Sequence, residues 1–104
     1  MIKDLDLSLL RTFVAVAEAR NFNRGAERLK INQSVVSERI KRLEDVLGVR
    51  VMNRSRQGVT LTESGAALLE EARPLLLRAE LMTHRVREVA DGRQAALNVA
   101  CTHW

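Results

Sequence analysis

The side chains able to do chemistry fall into two sets, and only one of them is organised. Thirteen carboxylates, two histidines and one cysteine could supply acid–base, metal or nucleophilic chemistry. His84 and His103 each read as standing alone, with no acid or thiol at metal-ligand spacing, and Cys101-Thr102-His103 is too short to hold a metal or build a nucleophile. Glycines lie singly at 25, 48, 58, 65 and 92, so there is no glycine-rich phosphate loop. These patterns predict no enzyme, no cofactor and no metal site. The second set is basic. Residues 24–56 carry nine Lys/Arg (Arg24, Arg28, Lys30, Arg39, Lys41, Arg42, Arg50, Arg54, Arg56) against Glu27, Glu38, Glu44 and Asp45, a net of +5. Outside that window the charges sum to −1, within a chain total of +4 and a pI of about 10.2. A surface that only needs solvating mixes its signs, so the window suits an anionic partner, nucleic acid first.

Helices must position this window, because the long periodic stretches repeat every three or four residues. The first is predicted over about Asp6–Ala19, with Leu7, Leu10, Phe13, Val14 and Ala17 on one stripe. A short second helix, Arg24–Leu29, is expected to start at an Asn23 cap, to bury Ala26 and Leu29, and to have Phe22 packed just before it. A third helix, Gln33–Leu47, is capped by Asn32 and stopped by Gly48. Only about three residues separate the second and third helices, which is the helix-turn-helix connection. Val36, Ile40, Leu43 and Leu47 form the third helix's apolar stripe. At about 100° per residue, Ser34, Glu38, Lys41 and Asp45 face the other way, with Ser37 and Arg42 on the flanks. That exposed face is small and polar, as a helix entering a groove requires.

Val49–Met52 and Val59–Leu61 are predicted as two short strands around a loop carrying Arg54 and Arg56, with Gly58 supplying the tight turn. A basic hairpin behind a helix-turn-helix is a wing. A long helix follows, from a Thr62 cap to about Ala90, ended by Asp91-Gly92. Leu68, Ala72, Leu75, Ala79, Met82, Val86 and Val89 repeat at four-three spacing along it and predict a dimer seam. Pro74 lies inside this helix and is expected to bend it locally without breaking it. Leu97, Val99 and Cys101 alternate with small or polar residues, as the opening strand of a further unit would.

Length and composition bound the whole. With 104 residues, 46% of them apolar and 29% charged, the chain has room for one small folded domain plus an appendage. No apolar run nears the roughly 18 residues of a membrane helix, and no charged-then-apolar leader opens the chain. The lone cysteine excludes an internal disulfide framework, so a reducing, cytoplasmic setting is expected. Phe13, Phe22 and Trp104 are the only aromatics. Binders of single strands stack bases on aromatic rings, so this composition favours duplex DNA read by the third helix in the major groove. The fold class is mainly α: a winged helix-turn-helix over 5–62 (helix-turn-helix about 21–40, wing about 49–61), a linker or dimerisation helix over 63–91, and the start of a truncated C-terminal unit over 92–104.

Five stretches in order complete the pattern: Leu10-Arg11-Thr12-Phe13-Val14-Ala15-Val16-Ala17, Ala26-Glu27-Arg28-Leu29, Gln33-Ser34-Val35-Val36-Ser37, Leu43-Glu44 with Leu47-Gly48-Val49, and Leu61-Thr62-Glu63-Ser64-Gly65. Together they resemble the LysR-type transcriptional regulators across about residues 5–92. The resemblance implies a bacterial transcription factor that dimerises through the linker helix and binds a palindromic operator. It also implies a higher oligomer in the full-length protein and a C-terminal domain for a small-molecule inducer, with Leu97–Cys101 as its cut first strand.

Carried over position by position, the family's base and backbone contacts fall on Asn32, Gln33, Ser34, Val35, Ser37, Glu38 and Lys41. Arg54 and Arg56 fall in the wing, Arg54 reaching a minor groove. Ser34 stands where the family often has proline, and Glu38 where it often has arginine or glutamine. A carboxylate facing the groove repels phosphates but can accept from cytosine N4, so Glu38 is expected to contribute sequence choice and not affinity. Other readings stay open here. Lys41 and Arg54 can be ordinary solvated charges, and Asn32 only a helix cap. Another winged-helix family, such as the molybdate-responsive regulators, or a helical dimerisation module with a protein partner would also use these features.

Overall fold

The computed structural model describes residues 5–101, with side chains through residue 92. Its centre is helix α1 (Leu7–Ala19), which contacts every other element except the first wing strand extensively. That position explains why α1 buries more than the predicted stripe: Leu9, Thr12, Ala15 and Val16 are covered along with Leu10, Phe13 and Ala17. Val14 is partly buried against the core, and Leu7, at the first turn, is exposed. Asp6 lies just outside the helix as its cap, accepting from the Ser8 N–H at 2.8 Å.

Helix α2 (Phe22–Leu29) starts earlier than predicted. Its cap is Asn21 and not Asn23: Asn21 Oδ1 accepts from the Arg24 N–H at 3.0 Å. Phe22 is thus the first helical residue, and its ring is in the core together with Ala26, while Leu29 is only half-buried. After a turn with Lys30 in the left-handed region, helix α3 (Gln33–Leu47) runs to Gly48 as expected. Val36, Ile40 and Leu43 are buried at 0%, 4% and 0% exposure, but Leu47, in the last turn, is exposed.

Strands β1 (Met52–Ser55) and β2 (Gly58–Leu61) pair antiparallel with Met52 opposite Leu61 and Arg54 opposite Val59. The hairpin therefore closes on Arg56-Gln57, and the first strand lies three residues later than predicted. The segment Val49–Met52, apolar except for Arg50, is misleading because Val51 has no strand partner. Its N–H is held by Glu44 Oε2 at 2.9 Å, and its carbonyl accepts from the Thr62 N–H at 3.2 Å. Gly58 has φ +122°, and a Cβ there would lie 2.7 Å from the Arg20 carbonyl oxygen, which accepts from the Val59 N–H at 3.1 Å. So the wing is tied to the end of α1 at its tip.

Helix α4 (Glu63–Cys101) begins at the predicted Thr62 cap, whose hydroxyl accepts from the Gly65 N–H at 2.9 Å. Gly65 passes so close to the Val51 carbonyl that any Cβ would overlap it. Pro74 lies within the helix without ending it. Neither Asp91-Gly92 nor the Leu97–Cys101 alternation interrupts α4, so the predicted stop and strand are not formed. A lone strand leaves its backbone groups unpaired, whereas a helix bonds them internally. Leu68 and Ala72 pack on the core, with Leu69 and Leu76 beside them. Farther along the predicted seam, Ala79 is half-buried, but Leu75, Met82, Val86 and Val89 stand 48–61% exposed. Among the described residues, no helix is long and apolar enough to cross a membrane.

Candidate nucleic-acid interface

The core stripe of α3 fixes what its other side presents. With Val36, Ile40 and Leu43 inward, Ser34, Glu38 and Lys41 are exposed and Ser37 half-buried at the rim. Asn32 is exposed at the cap position, but its side chain makes no capping bond; its carbonyl instead accepts from Val35 and Val36 at 3.1 and 3.2 Å. Gln33 and Val35 are half-buried in the first turn. Arg54 and Arg56 are exposed on the wing.

Two clefts join these groups. One, of about 220 Å³, lies between the start of α2, Gln33 of α3 and the wing residues Arg54 to Gly58. The other, of about 170 Å³, is lined by Ser37, Lys41 and Glu44 of α3 together with Arg50 and Arg54. Arg54 and Phe22 line both, so the wing arginine stands between the two polar faces. Its guanidinium carbon lies 4.2 Å from the centre of the Phe22 ring. The structure thus brings Gln33, Ser37, Lys41, Arg54 and Arg56 together, while Asn32, Ser34 and Glu38 lie on the open face beside them.

Not every charge in the basic window is free for an anion. Arg39 turns inward, its Nη1 donating to the buried Thr12 hydroxyl at 3.3 Å, and that hydroxyl donates to the Ser8 carbonyl at 2.8 Å. Arg28 lies 3.8 Å from Glu18, which also accepts from Arg73 Nε at 3.0 Å. Among the described residues, Lys41, Arg50, Arg54 and Arg56 have no carboxylate within ion-pair distance. The same is true of Arg24, Lys30, Arg39 and Arg42, but Lys41, Arg50, Arg54 and Arg56 are the cations of the window that line the two clefts where α3 meets the wing. Arg50 and Phe22 also belong to this site, although residue order marks the first only as one more charge of the basic window and the second as core.

His84 does have an acid near it, contrary to the reading of the sequence: Glu88 lies one turn on at 3.9 Å. Both are exposed, and among the described residues no group of three or more His, Cys, Asp and Glu could hold a metal. The Cys101 side chain and His103 lie outside the described side chains.

Three helices with a two-stranded hairpin behind the third define a winged helix-turn-helix domain, extended here by a long C-terminal helix. The chain belongs to the LysR family: the model for bacterial regulatory helix-turn-helix proteins of that family matches residues 7–66. The regulator BudR of Klebsiella aerogenes is 39% identical over 98 residues, spanning 94% of this chain and 68% of BudR. XapR of Escherichia coli is 39% identical over 94 residues, 90% of this chain but only 32% of its own length. Among solved structures, the CbnR DNA-binding domain in complex with DNA aligns with TM-score 0.78 and 38% identity, covering 83% of this chain and 99% of that one. The BenM DNA-binding domain on catB site 1 DNA aligns with TM-score 0.79 and 32% identity, covering 83% and 97%. Against full-length CbnR the chain covers 29% of that protein.

Proposed function

We propose that this chain is the duplex-DNA-binding part of a LysR-type transcriptional regulator, acting in the cytoplasm as a homodimer on a palindromic operator. Residues 5–62 form the reading head. In it α3 enters the major groove, with Asn32, Gln33, Ser34, Val35, Ser37, Glu38 and Lys41 toward base edges and backbone. Arg54 and Arg56 meet the adjacent minor groove. Residues 63–91 form the dimerisation helix through the exposed seam Leu75 to Val89, since Leu68 and Ala72 are already taken up by the core of their own chain. No catalytic step is assigned to any residue, and no inducer site to residues 5–92; an inducer would act through a C-terminal effector domain.

One observation carries the reading: the polar face of α3 and the wing arginine line shared clefts that carry unpaired positive charge, while the opposite face of α3 is core. Phosphates supply affinity to such a surface and base edges supply choice. The two solved relatives on DNA align over most of this chain. The test is selection of bound duplexes from a random pool, which returns motif, symmetry and spacing together. A two-fold symmetric motif with half-sites about one helical turn or more apart is expected. Absence of any enriched motif, with equal affinity for a scrambled duplex, overturns the reading. Within the selected motif, Glu38→Gln is expected to relax preference at one base pair, by about 1–3 kcal/mol of discrimination, without weakening binding overall. An unchanged profile removes Glu38 from the reading surface.

A further inference from the structure

The wing's register puts Arg54 on the hairpin face turned toward the helices, although its side chain stays exposed. In an antiparallel pair, directly opposed residues share a face. Arg54 opposes Val59, which is buried, and Met52 two residues earlier is buried opposite the half-buried Leu61. Arg54 is therefore the charged member of the face turned toward the helices. Asn53 and Ser55 occupy the other face. Where an arginine on that side would otherwise meet core, it meets the flat ring of Phe22, with the guanidinium 4.2 Å from the ring centre. Phe22 is itself fixed, 7% exposed as the first residue of α2 and set by the Asn21 cap. Among the described residues, Arg56, in the hairpin turn, has no such ring.

Resting on the DNA-binding reading, we infer that Phe22 is a positioning residue for Arg54: its ring face holds the guanidinium at the junction of wing and α3, so the wing arginine meets a duplex already oriented. A stacked arginine keeps its planar donors at the edges of the guanidinium free for phosphate or base acceptors while its face is occupied. A side chain held this way loses less freedom on binding than an unrestrained one. Phe22 thus does two jobs, core packing on one side and presentation of a DNA contact on the other.

The experiment is a double-mutant cycle on duplex binding with Phe22→Leu and Arg54→Ala, beside the same cycle with Arg56→Ala. Phe22→Leu is expected to weaken binding about threefold to tenfold when Arg54 is present and to have almost no effect in the Arg54→Ala background. Against Arg56→Ala the losses simply multiply, and Phe22→Tyr restores the parent affinity. A loss that only reflects damaged packing is the same in all backgrounds, so multiplying losses in the Arg54 cycle overturn the inference. Should Phe22→Leu not fold, the same cycle is run on Phe22→Met, and the ring-current shift of the Arg54 side-chain protons in the unmodified protein reads the stack directly; unshifted protons overturn it. If the unmodified protein binds no duplex, the DNA-binding reading and this inference fall together. If it binds and the losses multiply, only this inference falls.

Discussion

Helices α3 and α4 carry the same sequence signal and meet opposite fates. Both place apolar residues at three- and four-residue spacing. In α3 that stripe lies at 0–4% exposure from Val36 to Leu43, covered by α1 and α2. In α4 it is covered only as far as Ala72, and from Leu75 to Val89 the larger side chains are about half exposed or more. Periodicity declares that a face is meant to be covered; it does not say by what. For α3 the cover comes from the same chain, and the freed polar side becomes a reading surface. Along the distal part of α4 Leu7 lines the groove beside Leu75, Ala79 and Met82, but it leaves the larger seam residues about half exposed or more, which is why a second copy is the proposed cover.

The largest expected effect tests the joint between the two regions. Gly65→Ala drives a Cβ into the Val51 carbonyl, the same carbonyl that accepts from Thr62 at the start of α4. The backbone must move, and we expect a loss of about 3 kcal/mol or more, measured by urea unfolding. A loss under about 1 kcal/mol would mean that the α4 junction is loose. Next comes the comparison itself. Leu43→Ala opens a cavity in a fully buried position and is expected to cost about 3 kcal/mol in dilute protein. Val86→Asp, on the 61% exposed distal seam, is expected to leave the dilute melt within about 0.5 kcal/mol of the parent. It should instead weaken self-association at least about tenfold in sedimentation equilibrium, since a charge is then buried in an apolar contact. If Val86→Asp destabilises dilute protein as much as Leu43→Ala, the two helices do not differ as described.

Much of this is legible from residue order. The α3 boundaries, its buried triad, the Thr62 cap and the basic wing follow from local signals: an Asn before the periodic run, Gly48 after it, a threonine before another, arginines beside a glycine. What escapes is decided by neighbours distant in sequence. Asn21 and Asn23 are equivalent as local caps, and the choice falls to Asn21 because Phe22 must enter the core as a helical residue. Val51 looks like strand because it is apolar, but its backbone is claimed by Glu44 and Thr62. Arg39 counts as surface charge in the sequence, yet it reaches in to Thr12. For the site, the polar side of α3 can be read from its stripe. The placing of Arg54 on the helix-side face of the wing follows from Met52-x-Arg54 facing Val59-x-Leu61, but only with the correct hairpin register, which a first strand placed three residues early conceals.

The smallest expected effect compares helix starts. Asp6 caps α1 with a carboxylate, whereas Asn32 heads α3 with no side-chain bond. The Asp6 carboxyl is held below its ordinary value of 3.8, chiefly by hydrogen bonds from the Ser8 backbone N–H and then its side chain, with Arg39 and Arg11 adding attraction. A lowered folded-state pKa means that this contribution to stability is complete above the unfolded value. It is lost as pH falls through the folded one. Asp6→Asn keeps a capping oxygen but has no proton to bind. The variant is therefore expected to melt close to the parent at neutral pH and to show a shallower fall in melting temperature below pH 3.8. Because the carboxyl titrates only below its ordinary value, the change is confined to that acid limb. Identical acid limbs in the two proteins would show that the α1 cap holds no charge-dependent bond, and that α1 and α3 begin alike.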